Sequence, residues 1–265
     1  MNPVVSVDVR GRRFDIEYRF VGSRAPDAPW LVILHEGLGS VAMWRDFPEQ
    51  LCKACGVRGL VYSRPGYGSS TPRRHDERWG PDFMHRQAGE VLPALLDKLG
   101  APRRYHLLGH SDGGSIALIH AARFPDRVAS TIVIAPHTFV EEVSVSSIRA
   151  ARTAYLKTDL RQRLAPYHAD VDSAFWGWND IWLTPAFRAW SIRDLLPSIR
   201  CPVLAIQGCS DAYGTMAQID AIAAALPAEQ CQLLKLEDCG HSVHRDQPEI
   251  VVERIATFLV HQRRC

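Results

Sequence analysis

No apolar run in these 265 residues approaches the ~20 that a membrane span needs. The start, "MNPVVSVDVRGRRFDIEYRF", has no basic lead followed by a long apolar stretch, so it does not read as a secretory leader. Neither sign of charge is in excess: 31 basic and 29 acidic side chains leave +2. That removes the electrostatic signature of a nucleic-acid binder and the acidity of a disordered tail. Internal repeats and low-complexity tracts are missing. The seven cysteines (Cys52, Cys55, Cys201, Cys209, Cys231, Cys239 and Cys265) are odd in number and scattered. A disulfide framework is therefore not expected; reduced thiols in a cytoplasmic setting are. Cys52 and Cys55 form a C-x-x-C inside the helical-looking "DFPEQLCKACG". The second ligand pair of a zinc site is lacking, so both read as packed helix cysteines. No metal and no cofactor is implied.

What is present is a rhythm. "WLVIL", "GLVYS", "YHLLG" and "ASTIVIA" are short apolar, β-branched runs. They alternate with the amphipathic "MWRDFPEQLCKAC", "DFMHRQAGEVLPALLDKLG" and "GGSIALIHAARFP". Such alternation predicts a mostly parallel sheet with helices on both faces. Two strands and a turn around "RGRR" precede it, and Pro93 predicts a local irregularity in its helix. From His137 to Arg200 the strands stop and successive helices follow, over a length too great for an ordinary connection. The rhythm returns with "CPVLAIQG", "CQLLKLED" and the helix "PEIVVERIATFLV". The reading is one α/β core, residues 1–136 and 201–265, with a helical insertion at 137–200.

Chemistry concentrates in "YHLLGHSDGGSIALIHA". A strand ends, Gly109-His110-Ser111-Asp112-Gly113 turns, and a helix starts at once. This is G-x-S-x-G in the strand–turn–helix setting that gives the motif its meaning. A serine in so sharp a turn is strained, and the adjoining helix aims free N–H groups at it. A tight turn with a capping serine would look the same locally.

A serine hydroxyl needs a base. Among 11 histidines, His241 in "LEDCGHSVHRDQPEIV" lies after a strand and before the last helix. Site residues in such sheets gather at strand C-terminal ends. His244 is the rival, read as packing near the site. Asp211, in the loop after "VLAIQG", suits the carboxylate that orients the histidine. Asp238 is a poorer candidate, read as a solvated turn residue.

With the order Ser111, Asp211, His241 established, the chain resembles the α/β-hydrolase superfamily in its capped, carboxylesterase-like form. The match spans nearly the whole chain. "LHEGLGS" resembles the oxyanion loop, "YSRPGYGSS" the loop after the fourth strand, "QGCSDAYG" the acid loop and "GHSVHRDQPE" the histidine loop. The resemblance implies an α/β-hydrolase fold with a helical cap at 137–200. It implies catalysis by Ser111, Asp211 and His241, with the backbone N–H groups of Gly37 and Asp112 as oxyanion donors. Two positions depart from the pattern: Glu36 stands where a glycine is usual, and Ser63 where an aspartate is usual.

The insertion is rich in aromatics. Phe175, Trp176, Trp178 and Trp182 are candidates for the wall of an apolar pocket above Ser111. Glu36, His110 and His137 are candidates for its polar lining. A carboxylate pointed at an oxyanion would repel it. Glu36 is therefore expected to turn away, held by loop backbone or a basic residue, or protonated by burial. The function expected is hydrolysis of a small-molecule carboxylic ester. Cleavage of a C–C bond in a ring-fission product and ligand reception on a hydrolase scaffold are the alternatives. No nucleic-acid or membrane partner is expected, and the oligomeric state, a homodimer included, is open.

Overall fold

The computed structural model describes residues 2–262. Cys265 lies outside the described residues. Eight strands form one sheet: β1 (Val4–Val9), β2 (Arg12–Gly22), β3 (Trp30–Leu34), β4 (Arg58–Tyr62), β5 (Tyr105–His110), β6 (Val128–Ile134), β7 (Val203–Gly208) and β8 (Cys231–Leu236). Their order is β1-β2-β4-β3-β5-β6-β7-β8. β2 runs antiparallel to both β1 and β4, and the remaining pairs are parallel. The β1–β2 hairpin turns through Arg10 and Gly11, both at positive φ (51° and 76°), as a two-residue turn between right-twisted strands requires.

The β-branched runs become strands because both faces are covered. Val32 and Leu34 pack in one apolar cluster and Leu31 and Ile33 in another, on opposite sides of β3. At ~1.5–3 kcal/mol for each large side chain fully buried, these two layers are the main source of stability. Cys52 and Cys55 sit in the second layer with Phe47 and Leu51, on the helix Phe47–Cys55. Pro93 falls in a continuous helical stretch, 83–98, just after a π-helical segment, Gln87–Val91. The wider turn accommodates a residue that lacks an N–H and crowds the turn before it.

Between β6 and β7 the helices Glu142–Lys157, Leu160–Leu164 and Val171–Trp182 follow one another, with short 3-10 turns. An antiparallel bridge, Phe139 with Ser191, ties the two ends of this insertion together. Its apolar side chains, among them Ile148, Phe175 and Trp182, belong to the same cluster as Val32 and Leu107 of the sheet. The insertion thus shares the core of the sheet rather than building a separate one.

Topology places the site. From β3 the chain crosses to β4 on one side, while β5 and β6 lie on the other. The C-terminal ends of the neighbours β3 and β5 therefore open a crevice, where ligands of such sheets bind. The loop after β3 carries Glu36 and Gly37, and β5 leads directly into Ser111.

Candidate active site

Ser111 sits between β5 and the helix Asp112–Arg123 with φ 53° and ψ −121°, a backbone conformation that L-residues avoid. Neighbours enforce it. A Cβ on Gly109 would lie 2.1 Å from the Gly113 carbonyl oxygen, and one on Gly113 would lie 2.2 Å from that of Leu34. Only glycine lets strand, turn and helix approach this closely.

His241 follows β8 and Asp211 follows β7, as neighbouring strands allow. His241 Nδ1 lies 2.9 and 2.8 Å from the two Asp211 carboxylate oxygens. The proton is therefore assigned to Nδ1, which leaves the Nε2 lone pair free to act as a base. Asp211 also accepts from the Tyr213 N–H at 2.7 Å and from Gln207 Nε2 at 2.8 Å. Burial alone would raise its carboxyl, but the His241 hydrogen bond and charge and the Tyr213 N–H outweigh burial and hold it below the usual range. Burial lowers His241, with the Asp211 bond opposing, so its ring is neutral at pH 7. Asp238 lies exposed in a turn at φ 53°.

The described hydrogen bond of Ser111 Oγ goes to His137 Nε2, at 3.5 Å, rather than to His241. His137 follows β6, and its backbone is locked by Ser115, which donates to its carbonyl at 2.7 Å and accepts from its N–H at 3.1 Å. No carboxylate orients its ring, since Nδ1 is buried without a partner. Burial, and next the neighbouring His241, push it down to about 3. Holding a proton on it at pH 7 would cost about 5 kcal/mol, so His137 is the weaker base of the two. Nucleophile–base contacts are often long before substrate binds. His244, pushed by burial and by His110 down to about 2, packs against Trp44 and Phe47 at ring distances of 5.0 and 5.1 Å.

On the opposite side of Ser111, Arg64 is wholly buried. Its backbone N–H donates to His35 Nε2 at 3.0 Å, which assigns the His35 proton to Nδ1. That Nδ1–H donates to the Glu36 carbonyl at 2.7 Å, and Arg64 Nη2 donates to the same oxygen at 2.8 Å. The Glu36–Gly37 peptide is thus gripped by its C=O, which fixes the plane carrying the Gly37 N–H. The Trp178 indole closes over Gly37 so tightly that a Cβ there would lie 2.2 Å from Nε1. Asp112 is also wholly buried, both carboxylate oxygens lack a hydrogen-bond partner, and burial raises it to about 6 against the pull of Arg64.

The Glu36 side chain turns to His110 and Arg245, with Oε2 3.6 Å from His110 Nδ1 and Oε1 4.0 Å from Arg245 Nη2. Burial pushes its carboxyl up, but His110 and His35 together hold it well below the usual range, so it stays ionised rather than protonated. Ser63 donates to Glu17 Oε2 at 2.6 Å and accepts from the Val41 N–H at 2.9 Å. Glu17, buried in β2, also accepts from the Ser69 N–H at 2.9 Å. It supplies from another strand the carboxylate that position 63 lacks.

A cavity of about 210 Å³ opens over Ser111. Glu36, Gly37, His110, His137, Trp178, Trp182 and His241 line it, joined by Leu38, Ile148, Tyr213 and Ser242, which sequence reasoning missed. The expectation for Phe175 and Trp176 needs correction, because neither lines it. Phe175 is fully buried, stacked on Tyr155 at 3.6 Å, and Trp176 projects from another face of the helix beneath Arg152. Helical spacing sets Trp176 apart from Trp178 and Trp182, which lie four residues apart on one face; Phe175 shares that face and is withdrawn from the cavity by its stacking on Tyr155. A separate hollow of about 160 Å³, lined by Arg12, Glu77 and Trp79, contains no member of this group. Among the described residues no cluster of three or more potential metal ligands occurs, and no helix is long and apolar enough to cross a membrane.

Comparison with known proteins agrees with this fold. The family model described as the alpha/beta hydrolase family matches residues 31–254. Carboxylesterase YbfK of Bacillus subtilis (strain 168) is 28% identical over 95% of this chain and 88% of its own. A proline iminopeptidase of Lactobacillus helveticus is 34% identical, but over only 45% of this chain and 40% of that relative, so the chain matches less than half of its length. The enol-lactonase of Burkholderia xenovorans LB400 superposes with a TM-score of 0.74 at 25% identity, over 97% of this chain and all of that one. By the extent of the family match and the agreement of fold, the chain belongs to the alpha/beta hydrolase family.

Proposed function

We infer that this protein is a serine hydrolase that cleaves small carboxylic esters through an acyl-enzyme. The observation that carries the reading is His241, held through Nδ1 by Asp211, on the wall of the same cavity as the strained Ser111. His241 takes the proton of Ser111 as its Oγ attacks the ester carbonyl, after the serine rotates away from His137. Asp211 holds the tautomer and stabilises the imidazolium. The tetrahedral oxyanion rests on the N–H groups of Gly37 and Asp112. His241 then protonates the leaving alcohol, and repeats the cycle with water to release the acid.

Cavity size and lining support a small, largely apolar acyl group. Its ~210 Å³ falls below the ~300–1,000 Å³ of pockets for drug-sized ligands. Trp178, Trp182 and Ile148 come from the insertion, which in this reading caps the site at 137–200. Likeness to a carboxylesterase and a lactonase supports carbonyl–oxygen bonds as the target.

The test is hydrolysis of phenyl acetate and p-nitrophenyl butyrate by wild type and by Ser111→Ala, with proline p-nitroanilide and a ring-fission diketone as contrasts. Ester turnover lost in Ser111→Ala is expected. Undiminished turnover in that variant, or a wild-type preference for the anilide or the diketone, would overturn the reading.

A further inference from the structure

Glu36 and His110 have no part in the proton transfers above, yet they lie between the three loops that must be aligned. Glu36 belongs to the oxyanion loop. Its carboxylate folds back over that loop, so that a Cβ on Gly39 would lie 2.4 Å from Oε2. His110 is the last residue of β5, directly before Ser111, and is almost fully buried. Its Nε2 donates to the backbone carbonyl of His241 at 2.9 Å, while its Nδ1, buried without a hydrogen-bond partner, faces the Glu36 carboxylate across an ion-pair distance of 3.6 Å.

Hydrogen accounting favours a charged ring. A carbonyl oxygen and a carboxylate are both acceptors. A neutral imidazole carries one N–H, so it would turn a bare lone pair on the other. Only the doubly protonated ring meets both neighbours favourably. The anions facing His110 are Glu36 from the oxyanion loop and Asp112 from the following helix. Arg245, from the helix after the histidine loop, faces Glu36 from the far side. The rings of His241, His244 and Trp44 lie 5.0, 4.9 and 6.2 Å away, and His137 is a further neutral neighbour.

We propose that Glu36 and a cationic His110 form a buried clamp that positions the oxyanion loop and the His241 loop on either side of Ser111. This rests on the serine-hydrolase reading and deepens it. The pair is a positioning device. It neutralises the carboxylate that would otherwise oppose the oxyanion, and it holds His241 by its own backbone. Glu36 also offsets the repulsion between His110 and the imidazolium that forms on His241 during turnover. A glycine at position 36 could do none of this.

The test is a double-mutant cycle on ester turnover, with Glu36→Gln, His110→Gln and the pair, alongside Ser111→Ala. The clamp predicts that each single variant lowers kcat about tenfold with KM changed less than about threefold. It predicts that the double variant is no slower than the slower single. Ring ¹⁵N shifts of His110 in wild type, showing both nitrogens protonated at pH 7, decide the matter even if a variant fails to fold. Independent, multiplying effects on kcat, a singly protonated His110 at pH 7, or losses confined to Tm would overturn the clamp. If Ser111→Ala abolishes turnover while the cycle is multiplicative, only the clamp fails. If Ser111→Ala keeps its turnover, the hydrolase reading fails and the positioning role fails with it.

Discussion

Asp211 and Asp112 flank the same serine and are treated in opposite ways by the fold. Asp211 accepts from His241, Tyr213 and Gln207, and its carboxyl is held below the usual range. Asp112 has no hydrogen-bond partner for either oxygen and is pushed up to about 6 by burial. Around Asp211, hydrogen bonds fix a charge that the proposed catalysis needs. On the other side, in the proposed reaction, the useful group of Asp112 is its backbone N–H, and its carboxylate is a buried burden offset chiefly by the field of Arg64, with Trp182 and His110 adding to it. The first arrangement is rigid and satisfied. The second depends on a buried cation that also grips the Glu36–Gly37 peptide.

The sharpest break of this contrast is Asp211→Asn, which keeps the shape and spoils the tautomer of His241. A fall in kcat of about 10⁴ is expected, by analogy with the same change in serine proteases. Asp238→Asn should stay within about twofold of wild type, and kinetics on one ester compares the two. A large loss in the latter would mean that the carboxylate has been assigned to the wrong loop. Wild-type kcat/KM should fall on the acid side as His241 is protonated, with an apparent pKa below the usual 6.5 because burial lowers it.

Next in size is Arg64→Met. Loss of the grip on the Glu36–Gly37 peptide should lower kcat by about 10²-fold, comparable to removing one oxyanion donor, with KM nearly unchanged. It also leaves Asp112 without its cation and should lower Tm. Adding Asp112→Asn should restore Tm but leave kcat low. Recovery of both in the double variant would reduce Arg64 to a stabilising role.

The smallest effect expected is that of Asp112→Asn alone. The folded pKa of Asp112 lies above its unfolded value near 3.8, so the native state keeps a proton that the unfolded chain releases. Stability from this group therefore declines as pH rises from about 4 to 6. The shift is worth up to about 3 kcal/mol. Asp112→Asn should accordingly raise stability at pH 7.5 and change little at pH 4, as read by denaturant unfolding at the two values. A uniform loss at both would show that the carboxylate is satisfied after all.

Much of this was legible in the sequence, and the rest had physical reasons to be hidden. The elbow could be read because Gly109 and Gly113 answer a close approach set by strand and helix, a local demand with a local signature. Loops after strands placed Asp211 and His241 on one side of it. Glu17 could not be read as the partner of Ser63, because it comes from β2, forty-six residues away, and only the sheet order joins them. Glu17 continues the polar alternation of Asp15 and Arg19 in that strand, so nothing in the run marked it out. Arg64 sits in a loop motif where a buried cation looks like any surface arginine. Phe175 and Trp178 share an aromatic composition, and the stacking of Tyr155 on the former, not its identity, takes it out of the cavity.

The central claim is that Ser111 carries the acyl group. Rapid quenching of a phenyl ester reaction, followed by intact-protein and peptide mass spectrometry, tests it most directly. The account predicts an adduct of the acyl mass on the peptide holding Ser111. It also predicts that the same adduct, once formed on His241→Ala with an activated ester, is lost far more slowly than it is on wild type, and that Ser111→Ala shows none. An adduct on any other residue, or steady ester turnover by Ser111→Ala, would contradict it.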